Sequence, residues 1–168
     1  MAHPLAYFIT FTCYGSHLPG AEPGSVDRER HIPGSRYVAP DLAQLAAARE
    51  RMTAGPYSLG AFGRELVLRA IQEVCSHRGW ILIAAHVRTS HVHVVVDATE
   101  RPEAVMHDFK AYATRLLNQH ERGVKRWTRH GSTRYLWREQ EVNGAIHYVI
   151  EGQGEPMAVF PRWGKTAP

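Results

Sequence analysis

The clearest alternation of residue types in the chain lies between His91 and Asp97. Valine alternates with histidine at its start, and β-branched residues dominate it, which is typical of a buried strand. Because successive strand residues point to opposite faces, His91 and His93 are predicted to lie side by side, with Asp97 further along the same face. Val92, Val94 and Val96 are predicted to face the other way, into a core.

Three other segments have the composition of strands, namely Leu5–Tyr14, Trp80–Val87 and Ser132–Trp137. Each is rich in aromatic, β-branched or other apolar residues. The polar gap Arg88–Ser90 has hairpin length, so the strand before it should pair antiparallel with the histidine strand.

Helical spacing of apolar residues occurs four times. The strongest example is Ala61–Arg78, whose apolar stripe ends at Gly79. The other predicted helices are Asp41–Thr53, Pro102–Gln119 and Val142–Glu151.

Apart from the short helix Asp41–Thr53, the order is βαββαβ followed by a C-terminal helix. It predicts an α+β fold with a ferredoxin-like antiparallel sheet and the histidines at its centre. We expect one domain over residues 1–168, with a loop and short helix inserted over residues 15–58 and a tail over residues 155–168. The predicted loop Gly15–Ala39 contains three arginines, Arg28, Arg30 and Arg36. These side chains either contact a polyanion or are solvated, and solvation is the commoner case.

The amino-acid composition indicates which class of binding partner and which cellular compartment to expect. The formal net charge is +4 and the pI is about 9.3, which favours a polyanionic partner. The two cysteines, Cys13 and Cys75, have no metal-binding spacing and indicate a reducing compartment. With neither a signal-peptide pattern at the start nor an apolar run of membrane-spanning length, we expect a cytoplasmic protein with no membrane partner.

Two imidazoles on one strand face are candidate metal ligands, although such a pair is more often a polar surface. No serine or cysteine triad can be read from spacing, so tyrosine is the candidate nucleophile. Tyr148 falls outside the apolar face of its helix, with Gly144 and Gly152 one turn away on either side. An exposed tyrosine of this kind is by itself more often a surface residue. Tyr112 lies on an apolar stripe, which favours a core role.

The HVH pair on a hairpin strand, the helix KAYATRLLN and the C-terminal segment WREQEVNGAIHYVIEGQ together resemble one family. They are similar to the single-tyrosine HUH transposases, in which HUH means His-hydrophobic-His. These are the insertion-sequence-200-like enzymes and their REP-associated relatives. The resemblance spans Leu5–Gly154.

This resemblance implies that His91 and His93 bind a divalent metal, Mg²⁺ or Mn²⁺, and that Tyr148 is the nucleophile. The family's third ligand lies about one turn after the tyrosine, where this chain has Gly152. Gln153 is the nearest amide and Glu151 the neighbouring carboxylate, and we favour Gln153. The implied activity is a transposase that nicks and rejoins single-stranded, hairpin-ended DNA through a 5′-phosphotyrosine. The family often acts as a homodimer, and spacing does not show whether Tyr148 serves its own chain or a partner.

A basic segment before and within the fourth strand is either a platform for DNA or an ordinary solvated loop. Two residues of the preceding predicted helix are added to this segment as candidate DNA contacts. The full set is Lys110, Arg115, Lys125, Arg126, Arg129, Arg134, Tyr135 and Arg138. The alternative function is a non-catalytic DNA-binding protein, which the glycine at the third-ligand position favours. A structural zinc protein is less well supported because no cysteine pair has ligand spacing.

Overall fold

The computed structural model describes residues 2–16 and 42–162. Most of the predicted loop Gly15–Ala39, with its three arginines, lies outside these ranges, as does the end of the predicted tail. The role of the insertion over residues 15–58 therefore stays a prediction. In chain order the described elements are β1 (Ala6–Thr12), α1 (Leu42–Glu50), α2 (Ala61–Arg78), β2 (Ile81–Val87), β3 (His91–Asp97), α3 (Pro102–Leu117), β4 (Ser132–Leu136), α4 (Glu139–Ile150) and β5 (Ala158–Phe160).

The five strands form one sheet in the order β4-β1-β3-β2-β5, and every neighbouring pair is antiparallel. The first four strands have the ferredoxin-like order that the sequence predicts, and the histidine strand β3 is central. The α+β fold with an added C-terminal helix is thus confirmed.

Helices cover both faces of this sheet. The helices α2 and α3 pack on one face, where Val92, Val94 and Val96 of β3 belong to the larger apolar cluster. The apolar side of α4 packs on the other face through a smaller cluster that includes Ala145, Val149 and Val95. Because α4 is short, it covers only part of the face that carries the histidines.

Two details differ from the sequence-based expectations. The last helix begins at Glu139 rather than Val142, since the Glu141 carboxylate accepts hydrogen bonds from the backbone N–H groups of Trp137 and Arg138 at 2.8 and 3.1 Å. The tail contains an unpredicted strand, β5, which is too short to show a period and pairs with β2. None of the described helices is long and apolar enough to cross a membrane.

The position of Arg126 contradicts its assignment as a candidate DNA contact. Its side chain is only 3% exposed, so it cannot lie on a DNA-binding surface. The guanidinium donates hydrogen bonds to the Tyr57 hydroxyl at 2.7 Å, to Asn118 Oδ1 at 3.1 Å and to the Glu121 carbonyl. It therefore joins the end of α3 to the segment that precedes α2, while its Nε has no hydrogen-bond partner among the described residues.

Arg126→Ala is expected to lower the free energy of unfolding by about 2–4 kcal/mol, because the change leaves buried polar groups without their donor. Urea denaturation measures this loss. Arg129→Ala is the matched control, since Arg129 is exposed and three residues away, and its effect should stay within about 0.5 kcal/mol. Equal losses in the two variants would contradict the structural role of Arg126.

Candidate active site

The two histidines lie together on the sheet face that α4 partly covers. Their ring centroids are 4.8 Å apart, and His93 is only 6% exposed while His91 is half-buried. The strand geometry explains this pairing, because residues two apart on β3 project from the same face. The predicted side-by-side arrangement of His91 and His93 is present in the structure.

Two side chains of strand β1 contact the His93 ring. In the β1–β3 register Thr10 lies opposite His93, and its hydroxyl is 2.7 Å from His93 Nδ1. The Phe8 ring stacks on His93 at 5.8 Å between centroids. Since Thr10 engages Nδ1, a metal would bind His93 through Nε2. Sequence reasoning missed Thr10 and Phe8, although the alternation of β1 and the ferredoxin-like order together place them beside the histidine strand.

Burial decides the protonation state of His93. Removal from water lowers the pKa of His93 to about 3, and the neighbouring His91 acts in the same direction. The imidazole is therefore neutral at physiological pH, which is the form that can bind a metal ion.

Helix α4 brings Tyr148 to the same place. The side chain is 47% exposed, and its ring lies 5.5 Å from the His93 ring and 5.8 Å from the Phe8 ring, both in edge-on contacts. The apolar residues of α4 pack against the sheet, so Tyr148 is left at the border between the helix and the uncovered histidine face. Its phenol is thus both close to the histidines and open to a large substrate.

The segment after α4 places Gln153 against the histidine pair. Gln153 Oε1 is 3.5 Å from His91 Nε2, and Gln153 Nε2 donates to the Tyr148 carbonyl at 3.3 Å. Gly152 allows this approach, because a Cβ there would lie 2.8 Å from the Tyr148 carbonyl oxygen. The tight turn that excludes a side chain at position 152 carries the next residue back toward the site.

These donors fit a divalent cation. The amide orientation directs Oε1 toward the imidazoles, while the NH₂ group is engaged by the helix backbone. Two imidazole nitrogens and an amide oxygen are suitable ligands for a metal of the Mn²⁺ class. Within residues 2–16 and 42–162, no cluster of three or more His, Cys, Asp or Glu side chains could hold a metal. A metal site here would therefore depend on the glutamine and on water or substrate.

The candidate DNA contacts are spread over two sides of the sheet. Arg134 lies opposite Phe8 in the β1–β4 register, so it borders the histidine face, and it is exposed. Tyr135 and Trp137 stack in parallel at 6.1 Å on the edge strand and are 42% and 50% exposed. The exposed Arg138 follows them at the start of α4.

The remaining candidates lie further from the histidines. Lys110 and Arg129 line a cleft beside α3, and the Lys110 ammonium donates to the carbonyls of Thr128 and His130 at 2.9 and 2.6 Å. Lys125 donates to the Thr53 hydroxyl at 2.9 Å, and Arg115 lies over the Tyr112 ring at 5.0 Å. The structure therefore does not gather the basic residues into one patch around the site.

Comparisons with known proteins found similarities to transposases. The family described as "Transposase IS200 like" matches residues 61–140, from the start of α2 to the start of α4. This segment contains the histidine pair and ends before Tyr148. No curated protein matches the sequence significantly.

A solved structure described as a REP-associated tyrosine transposase bound to a REP hairpin is similar with a TM-score of 0.49 and 11% identity. The similarity covers 89% of this chain and 68% of that one. Over residues 61–140, which include the paired histidines at the centre of the sheet, the chain is similar to the IS200-like transposases.

Proposed function

We propose that this protein is a transposase that cleaves and rejoins single-stranded, hairpin-ended DNA through a covalent bond between Tyr148 and a 5′-phosphate. One observation carries the proposal. Helix α4 and the turn after it bring a tyrosine and an amide to a buried histidine pair on a different element. The similarity to the IS200-like transposases supports DNA transposition, and the proposal adds the nucleophile, the metal ligands and the form of the substrate.

The reaction is balanced without an external energy source. The Tyr148 phenolic oxygen attacks the scissile phosphorus, and the bond from phosphorus to the 3′-oxygen breaks. The phenol loses its proton, the leaving 3′-oxygen gains one, and the 5′-phosphate stays on the tyrosine. Attack by a 3′-hydroxyl on this phosphotyrosine reverses the step and rejoins DNA, because the intermediate keeps the energy of the phosphodiester bond.

His91, His93 and Gln153 would hold the divalent metal. Such a cation, when bound, offsets the charge of the phosphate and polarises it as a Lewis acid. The two imidazoles favour Mn²⁺ over Mg²⁺, which prefers oxygen ligands. The presence of Gln153 beside His91 weakens the main argument for a non-catalytic protein, namely that Gly152 offers no ligand.

A single chain supplies all the proposed groups. Tyr148 contacts His93 within one molecule, which supports a site completed by the chain's own helix. The expected homodimer and the cytoplasmic location stay predictions.

The edge strand β4 supports a path for single-stranded DNA. Arg134 can contact a phosphate beside the site, on the histidine face. Tyr135 lies opposite Tyr7 on the other face of the sheet, where it stacks with Trp137, directly after β4, and the pair offers aromatic faces on which a base can stack. Among the described strands, β4 has a free edge along which a bound DNA strand could lie.

Tyr148→Phe is expected to abolish the covalent adduct, since the variant keeps the ring and loses only the nucleophilic oxygen. The assay uses a 3′-labelled hairpin oligonucleotide from the DNA that flanks the gene, with Mn²⁺. The 3′ label reports this polarity because the 5′-phosphate side remains on the protein. Denaturing gel electrophoresis detects the adduct. Tyr112→Phe makes the same change on α3 and should leave the adduct intact. An adduct that persists without the Tyr148 hydroxyl would overturn the assignment.

Gln153→Ala is expected to weaken Mn²⁺ binding by at least about ten-fold, because the amide oxygen is the third protein donor. Isothermal titration with Mn²⁺ alone measures the affinity. Gln153→Glu should retain binding, since it keeps an oxygen at the same distance from the backbone. Gln140→Ala is the matched control on the exposed start of α4. If Gln153→Ala and Gln140→Ala bind Mn²⁺ equally well, Gln153 is not a ligand.

Arg134→Ala is expected to weaken binding of single-stranded DNA and to reduce the salt dependence of log K by about one unit of slope. The reason is the loss of one phosphate contact beside the site. Fluorescence anisotropy over a series of salt concentrations measures both effects. Arg69→Ala removes an exposed arginine from α2, where it pairs with Glu73, and should change neither quantity. Equal slopes in Arg134→Ala and the wild type would contradict the contact.

A further inference from the structure

A third histidine, His86, lies on the same sheet face as the candidate metal ligands. It is on β2, directly opposite His93 in the β2–β3 register, and it is completely buried. In the sequence His86 lies in an apolar strand and has no second histidine two residues away, so no motif marks it. Its surroundings differ from those of the other two histidines.

Both ring nitrogens of His86 are hydrogen-bonded to the backbone. The Met157 N–H donates to His86 Nε2 at 3.0 Å, so Nε2 is the acceptor and the ring hydrogen lies on Nδ1. His86 Nδ1 then donates to the Val149 carbonyl at 3.0 Å. With its lone pair and its proton both engaged, His86 is suited neither to metal binding nor to proton transfer.

The two backbone partners lie on either side of Gln153, and the first of them is next to Tyr148. Val149 directly follows Tyr148 in the last turn of α4, where carbonyls lack partners within the helix. Met157 directly precedes β5, and Gln153 lies midway between the two positions. Arg88 supports the same turn, because its guanidinium donates to the Glu155 carbonyl at 3.0 Å and lies 3.4 Å from His86 Nε2.

We propose that His86 is a positioning residue that clamps the segment from Val149 to Met157, so that Tyr148 and Gln153 stay beside the histidine pair. The His86 clamp, meaning its hydrogen bonds to Val149 and Met157, joins the end of α4 and the start of β5 to the rigid centre of the sheet. Without it, the turn through Gly152 and Gly154 would be held mainly by its own backbone. The proposal rests on the proposed function for the roles of Tyr148 and Gln153.

Two substitutions separate the halves of the clamp. His86→Asn keeps a donor near the position of Nδ1 for Val149 but loses the acceptor for Met157. His86→Gln places an acceptor near the position of Nε2 and loses the bond to Val149. Amide hydrogen exchange in ¹⁵N-labelled protein reports directly on the Met157 N–H. We expect its exchange to accelerate in His86→Asn and to stay closer to the wild type in His86→Gln.

The functional readouts are the single-turnover rate of adduct formation, the Kd for the hairpin oligonucleotide and the Kd for Mn²⁺ alone. In His86→Asn we expect the adduct rate and the Mn²⁺ affinity to fall by about ten-fold or more, as for other residues that orient ligands. The DNA Kd should change by less than about two-fold, because the clamp lies beneath the site and contacts no DNA. His77→Asn is the matched control, an exposed histidine on α2, and should change none of these quantities.

Unchanged exchange in His86→Asn overturns the clamp, and so does faster exchange with an unchanged adduct rate and Mn²⁺ affinity. If the His86 variants do not fold, Arg88→Ala decides, because it removes the bond to Glu155 without leaving a hole in the core. It should accelerate exchange over residues 155–157 and slow the adduct, and no effect on either overturns the proposal. If the wild-type protein forms no adduct, the proposed function fails, while amide exchange and Mn²⁺ affinity still test the clamp.

Discussion

The antiparallel pairing of β1 with β3 is the interaction on which the candidate site depends. It buries the centre of the sheet and brings Thr10 opposite His93, where the hydroxyl engages one ring nitrogen. A slip of one residue would turn the histidines toward α2 and α3 and place valines on the α4 face. Val92, Val94 and Val96 of β3 pack in the larger apolar cluster, so the register is maintained by burial. The same burial keeps His93 neutral and its ring orientation restricted.

The unequal cover on the two faces explains why the candidate site lies on one of them. Among the described helices, α2 and α3 shield one face, whereas α4 shields part of the other. At the edge of that cover a side chain can be half-exposed and still contact a buried imidazole, as Tyr148 does. A nucleophile for a polymeric substrate needs both properties, because the phosphate must approach from solvent and the site must restrict the attacking oxygen.

Local periodicity was sufficient to predict the sheet, the central histidine strand and the apolar side of α4. It could not reveal β5, because three residues carry no period, or the burial of Arg126, because a basic run looks the same whether its members are solvated or folded inward. Gln153 was favoured from its neighbours in the chain, and the turn at Gly152 supplies a steric reason for that choice. Thr10, Phe8 and His86 approach the site only through strand pairing, which sequence spacing alone does not specify.

The three histidines on the α4 face differ in which ring nitrogens are already hydrogen-bonded, and this difference separates a structural role from a candidate ligand role. Both ring nitrogens of His86 are hydrogen-bonded to backbone groups, so this residue joins two chain segments. His93 uses Nδ1 on Thr10, which orients the ring and leaves its other nitrogen directed to the site. His91 is less buried and faces the Gln153 amide, so its environment changes with the turn after α4. Since His86 is hydrogen-bonded to both ends of that turn from the neighbouring strand, it links the position of the turn to the sheet that carries the candidate ligand pair.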